Sequence, residues 1–236
     1  MNKWMALALL AAPGLVSAAT VNVSFTGIVD SVGESHCYVY SNGNCTLGYW
    51  SPTSLTEFQG GRAQVGDTFS GSFRYDSSAV RRDGNDGYSL YGPVFEDVQI
   101  RMGSISLPTA PLQQTGGHVF VSNDFDLNYD MFGLDQDFAG GVWQGQLSVT
   151  LLDWSATAFD GTALPTSFDL SRFGNPANAS IAIRDLSNDT SVTVSGRFST
   201  FEATVATPVP EPSTWSLLCL GVAGLLARRR FAQRRG

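Results

Sequence analysis

The sequence predicts an all-β fold over residues 20–206, and within that class an antiparallel β-sandwich with a jelly-roll-like topology. Apolar residues alternate with polar ones in one segment after another, which is the period of a strand with one buried face. Gly, Asn, Asp and Pro separate these segments at intervals of about 10 to 20 residues, as turns between antiparallel strands do. Between residues 20 and 207 no stretch has the apolar i, i+3, i+4, i+7 spacing of an amphipathic helix.

The strands are predicted from this alternation in chain order. In the first, Val21, Val23 and Phe25 alternate with polar residues, and Gly27 then permits a bulge or a bend. Because each segment has one polar face, we expect antiparallel strands with one face in solvent. The later segments have their apolar residues at Phe69, Phe73 and Tyr75; Val98, Ile100 and Met102; Trp143, Leu147, Val149 and Leu151; Phe168 and Leu170; Ile181 and Ile183; and Val192, Val194 and Phe198.

The first 19 residues predict a secretory signal peptide that is cleaved from the mature protein. A single positive charge, Lys3, precedes an apolar run from Trp4 to Ala12, and small residues follow. The expected cleavage lies after Ala18 or Ala19. The alternative, an N-terminal anchor helix, is disfavoured because the apolar run is too short to span a bilayer.

Residues 207–236 predict a membrane tail. Three prolines, the last at Pro212, stop the preceding strand, and an uncharged helix is expected over residues 213–227. Fifteen residues make a helix of about 22 Å, shorter than the apolar core of about 30 Å, so the arginines of the tail at 228–236 must snorkel. Arg228, Arg229 and Arg230 stop transfer and stay cytoplasmic, which places the β-domain on the outer side.

This tail resembles a known sorting signal. Val209, Pro210, Glu211, Pro212 and Ser213, followed by a short apolar helix and an Arg cluster, resemble the PEP-CTERM sorting signal of Gram-negative bacteria, a motif also described as an ice-binding protein C-terminal domain. The resemblance implies that an exosortase recognises the Pro-Glu-Pro motif and removes the tail. It also implies an exported surface or extracellular-matrix protein of a species that makes exopolysaccharide. The alternative is a permanent tail anchor that is never cut.

The charge of the central region disfavours one class of partner. Between Ala19 and Pro210 the chain has eight arginines, no lysine and twenty acidic residues, a net charge of about −12. Such a surface repels a phosphate backbone, so we expect no nucleic-acid binding. The expected partners are the Sec translocon, signal peptidase, the exosortase, the inner membrane during sorting, and an exopolysaccharide.

Two cysteines are predicted to form a disulfide. Cys37 and Cys45 flank Asn42-Gly43, a strong two-residue hairpin signal, so they can face each other across two short strands. Outside the cytoplasm such a pair should oxidise, and its short loop would contribute about 2 to 3 kcal/mol in the chain-entropy model. Free thiols, or a metal pair with His36, are the alternatives.

Acidic residues suggest a structural Ca²⁺ site as the one candidate cofactor. Asp124, Asp126, Asn128 and Asp130 recur at every second position, with the first intervals of an EF-hand loop. Tyr129 stands where that loop needs Gly, and a half-buried strand explains the same alternation.

No catalytic residue is assigned from the sequence. The two histidines, His36 and His118, lie in no nucleophile motif. Paired carboxylates for glycoside hydrolysis need a separation that the sequence does not give; the candidates are Glu34, Glu57, Glu96, Asp97, Asp135 and Asp137.

The aromatic pair Tyr49-Trp50, between the predicted disulfide hairpin and Pro52, is the best candidate for contact with a sugar. We therefore expect a secreted or cell-surface, non-catalytic matrix protein. The alternative is a carbohydrate-binding module or a carbohydrate-active enzyme that acts on extracellular polysaccharide.

Overall fold

The computed structural model describes residues 19–41, 44–93, 95–108, 112–125, 128–174, 177–187 and 190–206. These residues form fourteen strands and one 3-10 helix, Leu170–Arg172, and they include no α-helix. The predicted all-β class is confirmed. The strands are β1 (Thr20–Ser41), β2 (Asn44–Pro52), β3 (Leu55–Phe58), β4 (Gly61–Gln64), β5 (Thr68–Asp76), β6 (Arg81–Asn85), β7 (Tyr88–Tyr91), β8 (Phe95–Met102), β9 (Ile105–Leu107), β10 (Gln113–Phe125), β11 (Tyr129–Gly140), β12 (Trp143–Asp153), β13 (Ala177–Asp185) and β14 (Thr190–Val205).

Twelve strands belong to one continuous antiparallel sheet. Its order is β6-β7-β10-β11-β12-β13-β14-β1-β5-β8-β9. β2 also pairs with β1, on the same edge as β5 but with the later residues of β1. The first and last strands of the domain, β1 and β14, pair in the middle of the sheet over most of their length. β3 and β4 form a separate hairpin.

The sheet curls so that distant strands meet around one core. β5 and β11 lie five places apart, which in a flat sheet corresponds to about 24 Å. The rings of Phe73 on β5 and Phe132 on β11 nevertheless stack with centroids 6.4 Å apart. Three residues separate Tyr91 at the end of β7 from Phe95 at the start of β8, although these strands lie near opposite ends of the sheet. Short connections of this kind require the two ends to approach each other.

Phenylalanine rings fill the centre of this core. Phe25 stacks on Phe201 at 5.8 Å and meets Phe198 edge-on at 5.3 Å. Phe198 and Phe201 both turn inward because the β1–β14 register shifts between Thr26 and Gly27, which confirms the predicted bulge. A Cβ at Gly27 would overlap a backbone oxygen and a phenylalanine ring, so the close approach of the strands requires glycine there.

The two open ends of the curled sheet are covered by different segments. At one end the β3–β4 hairpin brings Phe58 edge-on to Trp143 at 5.1 Å and buries Ala63 completely. At the other end lies the long loop between β12 and β13. Its Phe168 packs edge-on against Phe132 and Phe201, each at 4.9 Å.

The strand predicted at Phe168 and Leu170 is wrong. Phe168 lies in the irregular part of the long loop, and Leu170 begins the 3-10 helix. Asp169 caps that helix by accepting a hydrogen bond from the backbone N–H of Ser171. Two apolar residues with one polar residue between them fit a loop packed on a core as well as they fit a strand, and here tertiary packing decided.

Candidate functional site

The first and last residues of the described domain lie next to each other. Val21 pairs with Val205, and the backbone N–H of Ala206 donates to the carbonyl of Thr20 at 2.8 Å. The carbonyl of Ala19 accepts from the backbone N–H of Ser77 at 3.0 Å. The predicted signal peptide and the tail, with the motif at 209–213, the helix at 213–227 and the arginines at 228–230, lie outside the described residues.

The candidate calcium residues lie in the turn that joins β10 to β11. Asp124 and Asn128 are exposed and adopt positive φ angles of 53° and 54°, which Asp and Asn tolerate in turns. Asp130 is fully buried, and its two carboxylate oxygens accept the backbone N–H groups of Asp124 at 3.0 Å and Phe159 at 2.8 Å. Asp126 lies outside the described residues. Within those residues no group of three or more His, Cys, Asp or Glu side chains is arranged to hold a metal ion.

A second buried carboxylate lies opposite Asp130. Asp153, the last residue of β12, pairs with Asp130 across the ladder and is 2% exposed. One of its oxygens accepts the backbone N–H and hydroxyl of Ser155, and the other accepts those of Thr157, at distances of 2.6 to 3.2 Å. Burial alone raises the pKa of Asp153, but these hydrogen bonds outweigh it and lower the pKa to about 2. Asp130 and Asp153 together anchor the long loop to the end of the sheet.

Asp153 belongs to a repeated turn that the sequence analysis missed. Among the described residues, four Asp-x-Ser triplets share one geometry, in which the carboxylate accepts both the backbone N–H and the hydroxyl of the serine two residues on. The hydroxyl bonds measure 2.6 to 2.7 Å. The triplet itself was the available signal, since Asp in this position typically forms an Asx turn. The four aspartates are Asp76, Asp153, Asp169 and Asp185.

The predicted hairpin between the two cysteines is confirmed for the backbone. β1 and β2 pair from Gly33 to Ser41, and Asn42 and Gly43 lie between the paired residues Ser41 and Asn44. In this register Cys37 lies opposite Gly48, and Cys45 lies opposite Tyr40. The expectation that the two cysteines face each other across the strands is therefore wrong, because they are three residues out of register. The side chains of residues 36–48 lie outside the described ones, so the disulfide stays a prediction.

Tyr49 and Trp50 are both half exposed, at 44% and 51%. Because they are consecutive in β2, their side chains point to opposite faces of the strand. The indole of Trp50 lies directly over Gly33 of β1, where any Cβ would overlap the ring. Because Gly33 has no side chain, the Trp50 ring can lie against the backbone of β1 while about half of the residue stays exposed to solvent.

Two of the carboxylates considered for hydrolysis are held in ion pairs, and a third lies beside a histidine. Arg74 contacts Glu96 at 2.9 Å and Asp97 at 3.0 Å on the exposed surface of the sheet. The Nε2 of His118 lies 3.4 Å from a carboxylate oxygen of Asp135 across the β10–β11 ladder.

The comparison with protein families identifies the tail. Residues 208–230 match the PEP-CTERM protein-sorting motif, which confirms the resemblance of the tail. The motif defines an exosortase substrate, and so an exported protein that is anchored in the membrane while it is sorted. No match was found among the curated proteins. In the part of the chain that the structure describes, no helix is long and apolar enough to cross a membrane.

Proposed function

We propose that this chain is a secreted or cell-surface, non-catalytic matrix protein, delivered by an exosortase and associated with exopolysaccharide or a biofilm. The single observation that carries the proposal is the sorting motif at residues 208–230. A temporary anchor would hold the exported domain beside the processing enzyme until cleavage releases it. The proposed precursor has a signal peptide at 1–19, an apolar helix at 213–227 and a Cys37–Cys45 disulfide.

Features of the β-domain support a non-catalytic role. The buried carboxylates Asp130 and Asp153 accept backbone N–H groups and hold loops in place. The exposed carboxylates Glu96 and Asp97 pair with Arg74. The contact between Phe73 and Phe132 supports the finer description of the curled sheet as a two-layer, jelly-roll-like sandwich, which we also propose.

The test replaces Glu211 by Ala in the native host. We expect Glu211→Ala to leave a full-length precursor in the inner-membrane fraction, while the parent protein is recovered at lower mass at the cell surface or in the medium. Glu202→Ala is the matched control, because Glu202 is an exposed glutamate of β14 outside the motif. Equal processing of Glu211→Ala and the parent would contradict the proposal, as would recovery of both uncleaved.

A second candidate function is carbohydrate binding at Trp50, favoured by its half-exposed ring above Gly33. Aromatic faces bind the apolar faces of sugar rings, so a seated, solvent-facing indole is suited to this contact. Trp50→Ala should abolish signals on a glycan array if this site binds sugar. Val80→Ala, at a residue 87% exposed, serves as the control for loss of exposed apolar surface.

A further inference from the structure

The solvent face of β7, β10, β11 and β12 bears an unusual set of apolar side chains. The solvated face of an antiparallel sheet is normally polar, and the same face of β13 and β14 follows that rule with Ser180, Thr193 and Ser195. Strand pairing instead aligns apolar residues on the four other strands. One row across the sheet is Tyr88, Ser122, Met131 and Leu152, and the next is Leu90, Phe120 and Gly133.

Four rings on this face form what we call the aromatic patch: Tyr88, Phe120, Tyr129 and Trp154. Phe120 lies flat over Gly133, where a Cβ would overlap its ring, and its centroid is 6.4 Å from that of Tyr88. Tyr129 and Trp154 meet edge-on at 5.7 Å, and Trp154 is 61% exposed. Tyr88, Phe120 and Tyr129 are half-buried. Apolar residues gathered on one face, even when only partly exposed, mark an interaction site more often than isolated ones do.

A groove with polar side chains along its sides crosses the same face farther along the strands. Its volume is about 480 Å³, and it crosses β10 to β14. Asp137 lies opposite Gln146, and Gln144 lies opposite Arg184, so amide, carboxylate and guanidinium groups flank a floor that includes Ala182. Asp137, which lines the groove, lies four residues along β11 from Gly133, the residue that the Phe120 ring covers. The groove therefore begins about 13 Å from that residue. His118 and Asp135 lie between the patch and the groove on the same face.

We infer that this surface binds a neutral polysaccharide, with sugar rings stacked on the aromatic patch and hydroxyl groups bonded in the groove. Aromatic faces match the C–H faces of sugar rings, and side-chain amides both donate to and accept from hydroxyl groups. The groove lining has one charge of each sign, Asp137 and Arg184. The surrounding domain carries about −12, which repels anionic polymers and leaves neutral ones.

This inference rests on the proposed association with exopolysaccharide and names the surface and substrate class. Its test uses the unprocessed full-length chain in detergent, so the result does not depend on sorting, and the Glu211→Ala experiment does not depend on binding. Affinity electrophoresis compares a soluble β-glucan, a galactomannan and a xylan with anionic alginate. We expect at least one neutral polymer to retard the protein and alginate not to do so.

The variants locate the binding surface. The double variant Gln144→Ala with Gln146→Ala, at two exposed residues, should weaken binding by about tenfold or more, and Trp154→Ala should weaken it too. Gln99→Ala is the matched control, because Gln99 lies in a second groove of about 480 Å³ whose described lining contains no aromatic residue.

Three results would each overturn the inference. One is the absence of retardation by every neutral polymer, and another is stronger retardation by alginate. The third is unchanged binding by the Gln144/Gln146 double variant. This result overturns the inference also when Gln99→Ala or Trp50→Ala weakens binding, because the polymer then binds at another surface. Circular dichroism of each variant checks that the β-fold is retained.

Discussion

Replacing Asp153 by Asn tests the buried carboxylate that anchors the long loop. Asp153 is 2% exposed, and its two oxygens accept four hydrogen bonds from Ser155 and Thr157. Asn keeps one oxygen as an acceptor, but an NH₂ group replaces the other oxygen. This donor would then face the backbone N–H and hydroxyl of either Ser155 or Thr157. At least one backbone N–H then loses its acceptor inside the protein. We expect the free energy of unfolding to fall by about 2 to 4 kcal/mol at pH 7.

The pH dependence gives a second way to measure the same hydrogen bonds. The pKa of Asp153 is lowered from 3.8 to about 2, a difference that corresponds to about 2 kcal/mol of stability. Because the folded pKa is depressed, this contribution is complete above the unfolded value and is lost as the pH falls through about 2. The difference in stability between the parent and Asp153→Asn should therefore be largest near neutral pH and shrink below about pH 4.

The assay is guanidinium unfolding of the 19–206 fragment, followed by tryptophan fluorescence at several pH values. Asp169→Asn is the matched control, because Asp169 makes the same Asp-x-Ser turn with a side chain that is 61% exposed. We expect a smaller loss there, since water can replace the lost hydrogen bonds. Equal losses for the two variants, or a difference for Asp153→Asn that does not change with pH, would refute the reasoning.

Three further outcomes are expected. Gly27→Ala should destabilise the fold by about 2 kcal/mol or more, since its Cβ would overlap the Phe69 ring and a backbone oxygen, whereas Gly161→Ala meets open space and should change thermal stability by less than about 0.5 kcal/mol. Adding a chelator should lower the melting temperature if calcium occupies the acidic turn, and an unchanged melting temperature would contradict that site. The intact mass of native protein should be two hydrogens lower than the reduced mass, and replacement of Cys37 and Cys45 by Ser should remove that difference.

Local signals predicted much of the fold. The alternation of apolar and polar residues identified the strands that contain Phe25, Phe73 and Ile181. A shift of one residue along such a strand would turn these side chains from the core into solvent, so the pattern specifies the buried face. Gly27 predicted a bulge because glycine lets neighbouring strands approach closely, and Asn42-Gly43 predicted a hairpin because this pair is typical of two-residue turns. Phe168 misled the prediction because its burial comes from rings on β11 and β14, which lie far from it in the sequence.

The candidate sites were less accessible to sequence reasoning. The acidic alternation at 124–130 suggested ligands for an ion, but the structure uses Asp130 to hold the backbone of its own turn and of Phe159. Asp153 was not singled out, since one aspartate at the end of a strand resembles any other. The aromatic patch joins residues as far apart as Tyr88 and Trp154. Only the pairing of β7, β10 and β11, and the contact of Trp154 with Tyr129, bring them together on one face.

The sequence alone determined the destination of this protein and its all-β class. A sorting signal is a linear segment that its enzyme can bind, and strand periodicity is a local property of the sequence. Both can therefore be recognised without knowledge of the tertiary structure. Tertiary structure alone decided how the strands are ordered, that β1 pairs with β14, and which aromatic rings remain on the solvent face. Those features depend on contacts between residues far apart in the chain, whose formation is governed by packing around the common core.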